Sequence, residues 1–263
     1  MSKGLIFIQV LSSLHIGSGT GIGVIDMPVQ RERHTGYPII PSSSFKGVLR
    51  SKNGDETVFG KEDCAGQKCF LDGKILFYPV RSLKGSYLLL TSKDVIKRFL
   101  RDIQLVGENK TLPDALDIPE GTILLNSTKE KIKDNKVVLE EFPFDVKFMD
   151  LKVIQFFKEL FPLIEDFAIL NEVDFSYFVR NASEVYARIA LDPEKKVVKE
   201  KALFYQEFIP AETIFYSMII NNSNFTDEKE VDLKDILGKY IQLGGNETIG
   251  KGICKTFIDK LQD

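Results

Sequence analysis

Residues 14–50, LHIGSGTGIGVIDMPVQRERHTGYPIIPSSSFKGVLR, contain most of the side chains in this chain that could act on a phosphate-bearing ligand. Four glycines alternate with other residues near the start of this segment: Gly17, Gly19, Gly21 and Gly23. Glycine lets the backbone approach a ligand closely or present successive N–H groups to an anion. The spacing matches neither a dinucleotide-binding fingerprint nor a P-loop, so the glycines alone are equally consistent with an ordinary flexible loop.

A run of serines and two cations closes the same segment. Ser42, Ser43 and Ser44 precede Lys46 and Arg50, and the two cations are four residues apart. Residues four apart share one face of a helix, and the free N–H groups at a helix N-terminus favour phosphate. Lys46 and Arg50 are therefore candidates for an anion site, with a solvated surface face as the simpler alternative.

A second glycine cluster occurs near the end of the chain, at residues 244–252, GGNETIGKG. It repeats the combination of a flexible backbone, at Gly244 and Gly245, with a cation, at Lys251. Two loops of this kind in one chain favour a long polyanion over a single small phosphate.

Three further side chains could take part in acid–base or metal chemistry. Asp26 is a solitary carboxylate in the apolar sequence VIDMP, where it could hold a divalent ion, orient a ribose hydroxyl or simply cap a turn. His15 could act as an acid or base, although one His beside an apolar strand is more often structural. Glu207 is a weaker candidate. Asp26 is therefore the leading catalytic candidate and a possible metal ligand.

The composition limits the class of protein. The chain has 263 residues, 43% of them hydrophobic, so it can bury a substantial core. A formal net charge of -3 gives no global positive field, and any nucleic-acid site must be local. No run reaches the roughly 18 apolar residues of a spanning helix, and the N-terminus lacks the pattern of a secretion signal. We therefore expect a cytoplasmic protein with no membrane partner.

The three cysteines, Cys64, Cys69 and Cys254, are an odd number and do not indicate a disulfide framework. Cys64 and Cys69 lie in the loop EDCAGQKC, where two thiols alone cannot complete a tetrahedral zinc site. We expect free thiols.

Hydrophobic periodicity predicts the elements that would position these residues. Strands are expected at residues 4–12, 75–80, 87–91, 122–126, 137–146, 213–220 and 253–258. Helices are expected from the Ser-rich start to residue 53, at residues 92–106, at 151–170 with an interruption at Pro162, and at 233–243. Residues 185–208 form two apolar arms around the polar tip DPEK, which predicts a long β-hairpin.

The order of these elements indicates an α+β fold. Strand, helix, strand, strand, helix at the front and strand, helix, strand at the back suggest a split βαβ, ferredoxin-like sheet with long insertions. The chain shows no internal repeat and no low-complexity linker. We expect one elaborated domain over residues 1–263.

Three stretches resemble a known family, the RAMP proteins of CRISPR effector complexes, and most closely the repeated backbone subunit of the type III-B (Cmr) complex. They are residues 14–50, residues 188–215 (RIALDPEKKVVKEKALFYQEFIPAETIF) and residues 242–255 (QLGGNETIGKGICK). The resemblance implies an RRM-like palm built from both chain ends, a helical insertion at about residues 51–184, and the hairpin at about residues 185–208 as a thumb.

The resemblance also implies an activity. In this family, copies stack head to tail along a guide CRISPR RNA, beside other subunits of the Cmr complex, and each thumb displaces one nucleotide of the guide–target duplex. The chain would then be an endoribonuclease that cuts single-stranded target RNA at regular intervals with a divalent ion, Mg or Mn. Asp26 matches the aspartate required for cleavage. Glu207 matches less well, because Gln206 stands where relatives often carry a second acid.

Lys46 and Arg50, with the turn at Ser42, Ser43 and Ser44, match positions near the guide backbone. The predicted RNA-binding residues are these five together with Gly17, Ser18, Gly244, Gly245 and Lys251 of the two glycine clusters. Displacement frees a nucleotide from A-form geometry, so its ribose 2′-hydroxyl can line up with its own phosphate for attack, a reaction that only RNA allows. Two alternatives stay open: a scaffold subunit that holds guide RNA without cutting, and a guide-processing RAMP nuclease that acts as a monomer.

Overall fold

The computed structural model describes residues 4–21, 23–113, 116, 118–126, 132, 134–161, 164, 166–199, 202–222 and 237–258. The strands are β1 (Gly4–Val10), β2 (Ile39–Ile40), β3 (Gly60–Lys61), β4 (Cys64–Ala65), β5 (Lys68–Phe70), β6 (Gly73–Arg81), β7 (Tyr87–Ser92), β8 (Thr122–Leu125), β9 (Lys136–Leu139), β10 (Phe142–Phe148), β11 (Phe167–Leu170), β12 (Glu184–Arg188), β13 (Phe204–Phe208), β14 (Ile214–Asn221), β15 (Tyr240–Gln242) and β16 (Ile253–Ile258). The helices are α1 (Ser42–Asn53), α2 (Glu56–Phe59), α3 (Lys93–Asp102), α4 (Leu151–Leu160) and α5 (Glu172–Asn181), with 3₁₀ turns at Ile103–Val106 and Glu247–Ile249.

Twelve of the described strands form one large mixed sheet. Its main path runs β15-β16-β1-β14-β6-β7-β11-β8-β10-β9, with β2 beside β6 and β5 beside β14. Strand β1 pairs antiparallel with β14 on one side and β16 on the other. The first and last described strands of the chain therefore pair with each other near one edge of the sheet.

The far half of this sheet curls back on itself. Strand β9, at the end of the path, reaches the residues that follow β6 through an antiparallel bridge between Ser82 and Leu139. Backbone bonds from Leu83 N to Val138 O (3.0 Å) and from Glu140 N to Arg81 O (2.9 Å) support the bridge. This closure gives hydrogen-bond partners to backbone N–H and C=O groups that an open edge strand would leave unpaired.

Helix α1 covers one face of the sheet. Phe45 and Leu49, four residues apart, are fully buried on its inner side, as a helical period requires. Gly54 ends the helix in the left-handed conformation, with φ at 71°. The serines do not cap the N-terminus as their sequence suggests; instead Ser42 N donates to Asp72 Oδ1 at 2.6 Å.

Many predicted elements are confirmed. They are β1, α1, β6, β7, β8, β14, β16, the helix opening at Ser92, and the antiparallel pairing of β12 with β13. The Ser92 side chain caps α3 by accepting a bond from Val95 N. The hairpin of β12 and β13 forms its own two-stranded sheet.

Other predictions are wrong, and α5 was not predicted. Residues 137–146 form two strands, not one, because the chain turns at Glu140, where φ is 51°. The helix expected at residues 151–170 ends at Leu160, and β11 follows, pairing parallel with β7. Pro162, the expected interruption, lies outside the described residues. Four apolar residues such as FAIL suit a buried helix or a buried strand equally well.

The helix expected at residues 233–243 is wrong at Tyr240–Gln242, which form β15, whereas Leu237 is helical; residues 233–236 fall outside the described part. The insertion at residues 51–184 is not purely helical, because it holds strands β3 to β11 beside its helices. Among the described residues, no helix is long and apolar enough to cross a membrane.

All three cysteines are free, as expected, and burial raises the pKa of the Cys254 thiol to about 12. Cys64 is exposed, while Cys69 is partly buried.

A buried carboxylate links α3 to the sheet. Asp102 accepts bonds from Lys74 Nζ (2.6 Å), from Arg101 Nη2 (2.6 Å) and from the Tyr216 hydroxyl (2.9 Å). Burial alone would raise the pKa of this carboxyl, but the bonds from Lys74, Arg101 and Tyr216 outweigh burial and leave the pKa below its usual value. Asp102 is therefore charged at neutral pH and stabilises the fold.

We expect Asp102→Asn to lower the free energy of unfolding by about 2–4 kcal/mol at pH 7, because it leaves buried donors poorly matched. A lowered folded pKa means that this contribution is present above the unfolded pKa, about 3.9, and is lost as pH falls through the folded value. Urea titrations at pH 7 and pH 3 should show the difference from wild type shrinking in acid. Asp145→Asn, in an exposed pair with Lys136, is the control and should cost less than about 0.5 kcal/mol.

Candidate functional site

The first glycine-rich segment folds into a narrow loop that turns back on itself. Ser18 N donates to Pro28 O at 3.1 Å and Gln30 N donates to Ile16 O at 2.8 Å, so the two arms pair. Near the tip, Gly21 N donates to Asp26 O at 2.8 Å. A Cβ at Gly21 would lie 2.8 Å from the Ile25 carbonyl, which excludes any larger residue without a backbone shift.

The returning arm of this loop lies parallel to β13. Met27 N donates to Tyr205 O and Glu207 N donates to Met27 O, both at 3.0 Å. Asp26 begins this pairing, because its Oδ2 accepts a bond from Tyr205 N at 2.8 Å. Within the described residues, no hydrogen bond reaches the other oxygen, Oδ1. Asp26 is half-buried where the loop and the hairpin meet, with one oxygen fixed and one open.

Glu207 closes the other end of the pairing. Its carboxylate is almost fully buried, with Oε2 accepting from Val29 N at 2.9 Å and Oε1 paired with Arg31 Nη2 at 2.5 Å. Both oxygens are therefore engaged within the protein. This arrangement favours a structural use of Glu207, and its direct part in catalysis stays a prediction.

His15 is buried beside Glu207 and bonded to its main chain. His15 Nδ1 lies 2.7 Å from Glu207 O, and because a carbonyl oxygen only accepts, Nδ1 carries the proton. The other nitrogen, Nε2, faces the glycine loop, since a Cβ at Gly17 would lie 2.9 Å from it. His15 thus has a fixed orientation, and within the described part of the chain its Nε2 has no hydrogen-bond partner.

The second glycine cluster packs against His15. Gly245 N donates to His15 O at 2.9 Å, so this amide is already used inside the protein. A Cβ at Gly244 would lie 2.2 Å from His15 O, and φ at Gly244 is 76°. Only glycine satisfies both conditions at this position. The cluster therefore joins the C-terminal part of the chain to the start of the first loop.

Lys251 lies between two aromatic rings of the hairpin. Its Nζ is 4.9 Å from the centre of the Tyr186 ring and 5.0 Å from that of Phe208. Cation–π contacts of this kind hold the glycine cluster against β12 and β13. The ammonium group helps to position the hairpin in this structure, and its contact with RNA stays a prediction.

The serine and cation cluster lies elsewhere, in a groove of about 730 Å³ beside α1. Ser42, Ser43, Lys46 and Arg50 line one wall, while Ser44 is not among the lining residues. The opposite wall consists of the turn between β3 and β4 and the start of β5, including Cys64 and Cys69. The predicted residues thus fall into two places: the groove beside α1, and the junction of loop, hairpin and C-terminal cluster around Asp26.

Two residues at the junction were missed by the sequence analysis. Arg31 pairs with Glu207, and Tyr205 supplies the N–H that holds Asp26. The charges of the RERH segment could have drawn attention to Arg31, but its partner lies 176 residues away. Nothing in the sequence marks the backbone amide of Tyr205.

The site can be tested for its fit to a divalent metal. Among the described residues, no group of three His, Cys, Asp or Glu side chains could hold a metal ion by itself. Mg²⁺ is usually bound by one or two carboxylates together with waters and substrate phosphates. The open oxygen of Asp26 fits that mode, in which RNA would complete the coordination.

A family model described as the RAMP superfamily matches residues 7–255 of this sequence. The chain belongs to the RAMP superfamily. The match covers the glycine loop, the groove beside α1, the hairpin and the C-terminal glycine cluster of this RAMP protein.

Individual relatives agree. The RAMP chain is 38% identical, over 99% of its length and 97% of the relative's, to the CRISPR system Cmr endoribonuclease Cmr4 of Pyrococcus furiosus. A crystal structure of oligomeric Cmr4 from Pyrococcus furiosus matches with a TM-score of 0.78, at 32% identity and full coverage of both chains. A chain of a type III-B Cmr-beta complex bound to cognate target RNA shares the fold, with a TM-score of 0.76 at 24% identity over 98% of this chain and 97% of that one.

We expect Gly244→Ala to destabilise this RAMP protein by at least about 2 kcal/mol, because it adds a clash with His15 O to a strained left-handed backbone. Thermal and urea unfolding measure the change. Gly23→Ala is the matched control: a Cβ there meets nothing within 4 Å, and we expect an effect within about 0.5 kcal/mol. Equal stability of the two variants would contradict the packing described for the glycine cluster.

Proposed function

We propose that this chain is a backbone subunit of a type III-B CRISPR effector complex that binds guide RNA and cleaves complementary target RNA at regular intervals. The observation that carries the proposal is the identity of 38%, over nearly the whole chain, with a protein named as the Cmr endoribonuclease Cmr4. The open carboxylate of Asp26, at the junction of loop and hairpin, supplies a chemical centre for that activity.

We divide one RAMP domain over residues 1–263 into three parts: a palm, an insertion and a thumb. Strands β1, β14 and β16 come from the two chain ends and form the palm, which we interpret as RRM-like. Residues 51–184 are the insertion. The hairpin at residues 185–208 is the thumb, and its pairing outside the twelve-stranded sheet agrees with a projecting element.

Guide RNA follows the groove beside α1. Ser42, Ser43, Lys46 and Arg50 supply hydroxyls and two cations along one wall. A local basic wall of this kind attracts a phosphate backbone even though the whole chain is acidic. Ser44, Gly17, Ser18, Gly244, Gly245 and Lys251 extend the predicted contact surface. Further copies of this chain stack head to tail on the same guide, beside other Cmr subunits, which agrees with the oligomeric Cmr4 crystal structure.

Cleavage takes place at a target nucleotide displaced by the hairpin. Its ribose 2′-hydroxyl attacks the adjacent phosphate and the bond to the next nucleotide's 5′-oxygen breaks, which leaves a 2′,3′-cyclic phosphate and a 5′-hydroxyl protonated by water. DNA is spared because it lacks the attacking group. Asp26 accepts the proton of the 2′-hydroxyl or orients it through Oδ1, while Tyr205 N keeps the carboxylate in place. A bound Mg²⁺ or Mn²⁺ ion would stabilise the developing negative charge on the phosphate.

A scaffold subunit that holds guide RNA without cutting is the alternative from another class. The groove beside α1 and the internal bonding of Glu207 suit either function, whereas an open carboxylate at Asp26 is needed only for cutting. The cytoplasmic location stays a prediction.

We expect Asp26→Asn to abolish periodic cleavage while assembly and RNA binding stay intact. The Asn oxygen can still accept the bond from Tyr205 N, so the variant removes charge and basicity without removing the anchor. The measurement is reconstitution with guide RNA, followed by mapping of products from one long target with and without divalent ion. A ladder of evenly spaced cuts is expected from wild type.

Asp26→Ala completes the comparison, because it removes both the charge and the anchor. If Asn cuts normally and only Ala fails, Asp26 serves to fasten the loop and the catalytic assignment is wrong. A single cut in a repeat hairpin by wild type would instead indicate a guide-processing nuclease.

We expect Lys46→Ala or Arg50→Ala to weaken guide binding and to reduce the slope of log affinity against log salt by about 0.7 for each lost phosphate contact. Filter binding or fluorescence anisotropy across a salt series measures the slope. Lys97→Ala is the control, since Lys97 is an exposed cation of α3 paired with Asp94. An unchanged slope in both groove variants would mean that the pair is ordinary surface charge.

A further inference from the structure

Arg31 makes three polar contacts beside the junction of loop, hairpin and C-terminal cluster. Its Nη2 pairs with Glu207 Oε1 at 2.5 Å, and its Nη1 donates to Gly36 O at 2.8 Å and to Val179 O at 3.2 Å. The pair is largely shielded, with 22% of the Arg31 side chain and 4% of the Glu207 side chain exposed. One guanidinium group therefore joins the loop, the hairpin and α5.

The ion pair is important because the Glu207 side chain takes part in the backbone pairing between the loop and β13. In a regular parallel ladder, the rung after Met27 would run from Val29 N to Glu207 O. His15 Nδ1 occupies that carbonyl, and Val29 N bonds to the Glu207 carboxylate instead. The side chain of Glu207 thus replaces its own main-chain oxygen in the ladder.

Arg31 stabilises the bond between the Glu207 carboxylate and Val29 N. A buried carboxylate without a cation is costly and tends to take up a proton or draw in water. Without Arg31, Glu207 would keep one neutral donor, Val29 N, and would lose its charge partner. The Val29 rung would then weaken, three residues from Asp26 on the same arm.

We propose that Arg31 is a positioning residue for RNA cleavage: its ion pair with Glu207 keeps residues 26–29 against β13 and thereby sets the position of the Asp26 carboxylate. The inference rests on the proposed function. Arg31 does not line the groove beside α1 that we assign to guide RNA, so its loss should affect the cleavage rate more than RNA binding.

Arginine suits this task better than lysine. Its planar group donates in several fixed directions, here to one carboxylate and two carbonyls, whereas a lysine ammonium is a single point of charge. Val179 O belongs to the last turn of α5, where a cation is favourable beside the helix C-terminus. Arg180 donates to Thr35 O. The bonds from Arg31 to Val179 O and from Arg180 to Thr35 O therefore connect α5 to residues 31–35 at two points.

The experiment compares Arg31→Gln and Arg31→Lys with wild type in the reconstituted complex. Cleavage is measured in a single turnover at saturating target, and the target Kd is measured separately. We expect Gln to lower the rate about 10- to 100-fold, because displacement of a reacting group by about 1 Å costs that much, with Kd within about twofold. Lys keeps the charge and should recover part of the rate. Arg81→Gln, which breaks an exposed ion pair with Glu140, should cut at the wild-type rate.

A double-variant cycle with Glu207→Gln adds a second readout. If the ion pair is the acting unit, Arg31→Gln combined with Glu207→Gln should cut no more than about twofold slower than the slower single variant. If the rate losses of the two single variants multiply in the double variant, Arg31 and Glu207 have separate roles and the proposal is overturned.

Two further results would overturn it. One is a wild-type rate in Arg31→Gln, and the other is a loss of target binding as large as the loss of rate. If Arg31→Gln does not assemble, Arg31→Lys and Glu207→Gln decide, and wild-type rates in both reject the proposal. A wild-type complex that never cuts would reject the proposed function instead, and the two failures are thus distinguishable.

Discussion

The short parallel pairing between the returning arm of the glycine loop and β13 is the interaction on which the site depends. Only two backbone bonds, both made by Met27, form its centre. Each end is completed by a carboxylate, Asp26 on Tyr205 N and Glu207 on Val29 N. In both cases a side-chain oxygen accepts an N–H that the next backbone carbonyl of a regular ladder would take. The same interaction that holds the loop therefore places a carboxylate, with one free oxygen, at the base of the hairpin.

The rest of the fold brings the required segments to this pairing. Strand β1 leads into the first loop, β13 follows the hairpin, and the cluster at residues 244–252 leads into β16, which lies beside β1. Gly244 and Gly245 pack against the main chain of His15, and Lys251 packs against the hairpin rings. Three segments that are far apart in the sequence are thus fixed around one point. This gives a physical reason for glycine at positions 17, 21 and 244, because close contact at these positions excludes a side chain.

The sequence correctly predicted those elements whose local residue pattern by itself indicates the structure they adopt in the fold. The short, β-branched apolar run of β1, the cap at Ser92 and the polar tip of the hairpin each determine a structure within a few residues. The short apolar runs do not carry such a signal: their pattern predicts helix at β11 and a single strand over β9 and β10, and both predictions are wrong. Such runs suit either state, and the sheet that curls back to β6 decides between them through long-range pairing.

The sequence by itself determined the family, the strands at the two chain ends, the hairpin and the candidates Asp26, His15, Lys46 and Arg50. Residue types and their spacing were sufficient for that, because these signals are local or recur as motifs. Only the tertiary structure decided which polar groups are free. The amide of Gly245 and both oxygens of Glu207 are bonded inside the protein, whereas no described residue bonds to the second oxygen of Asp26. Whether a polar group can act on a ligand depends on the partners that folding brings to it, and those partners can lie far away in the chain, as His15 O does from Gly245 N.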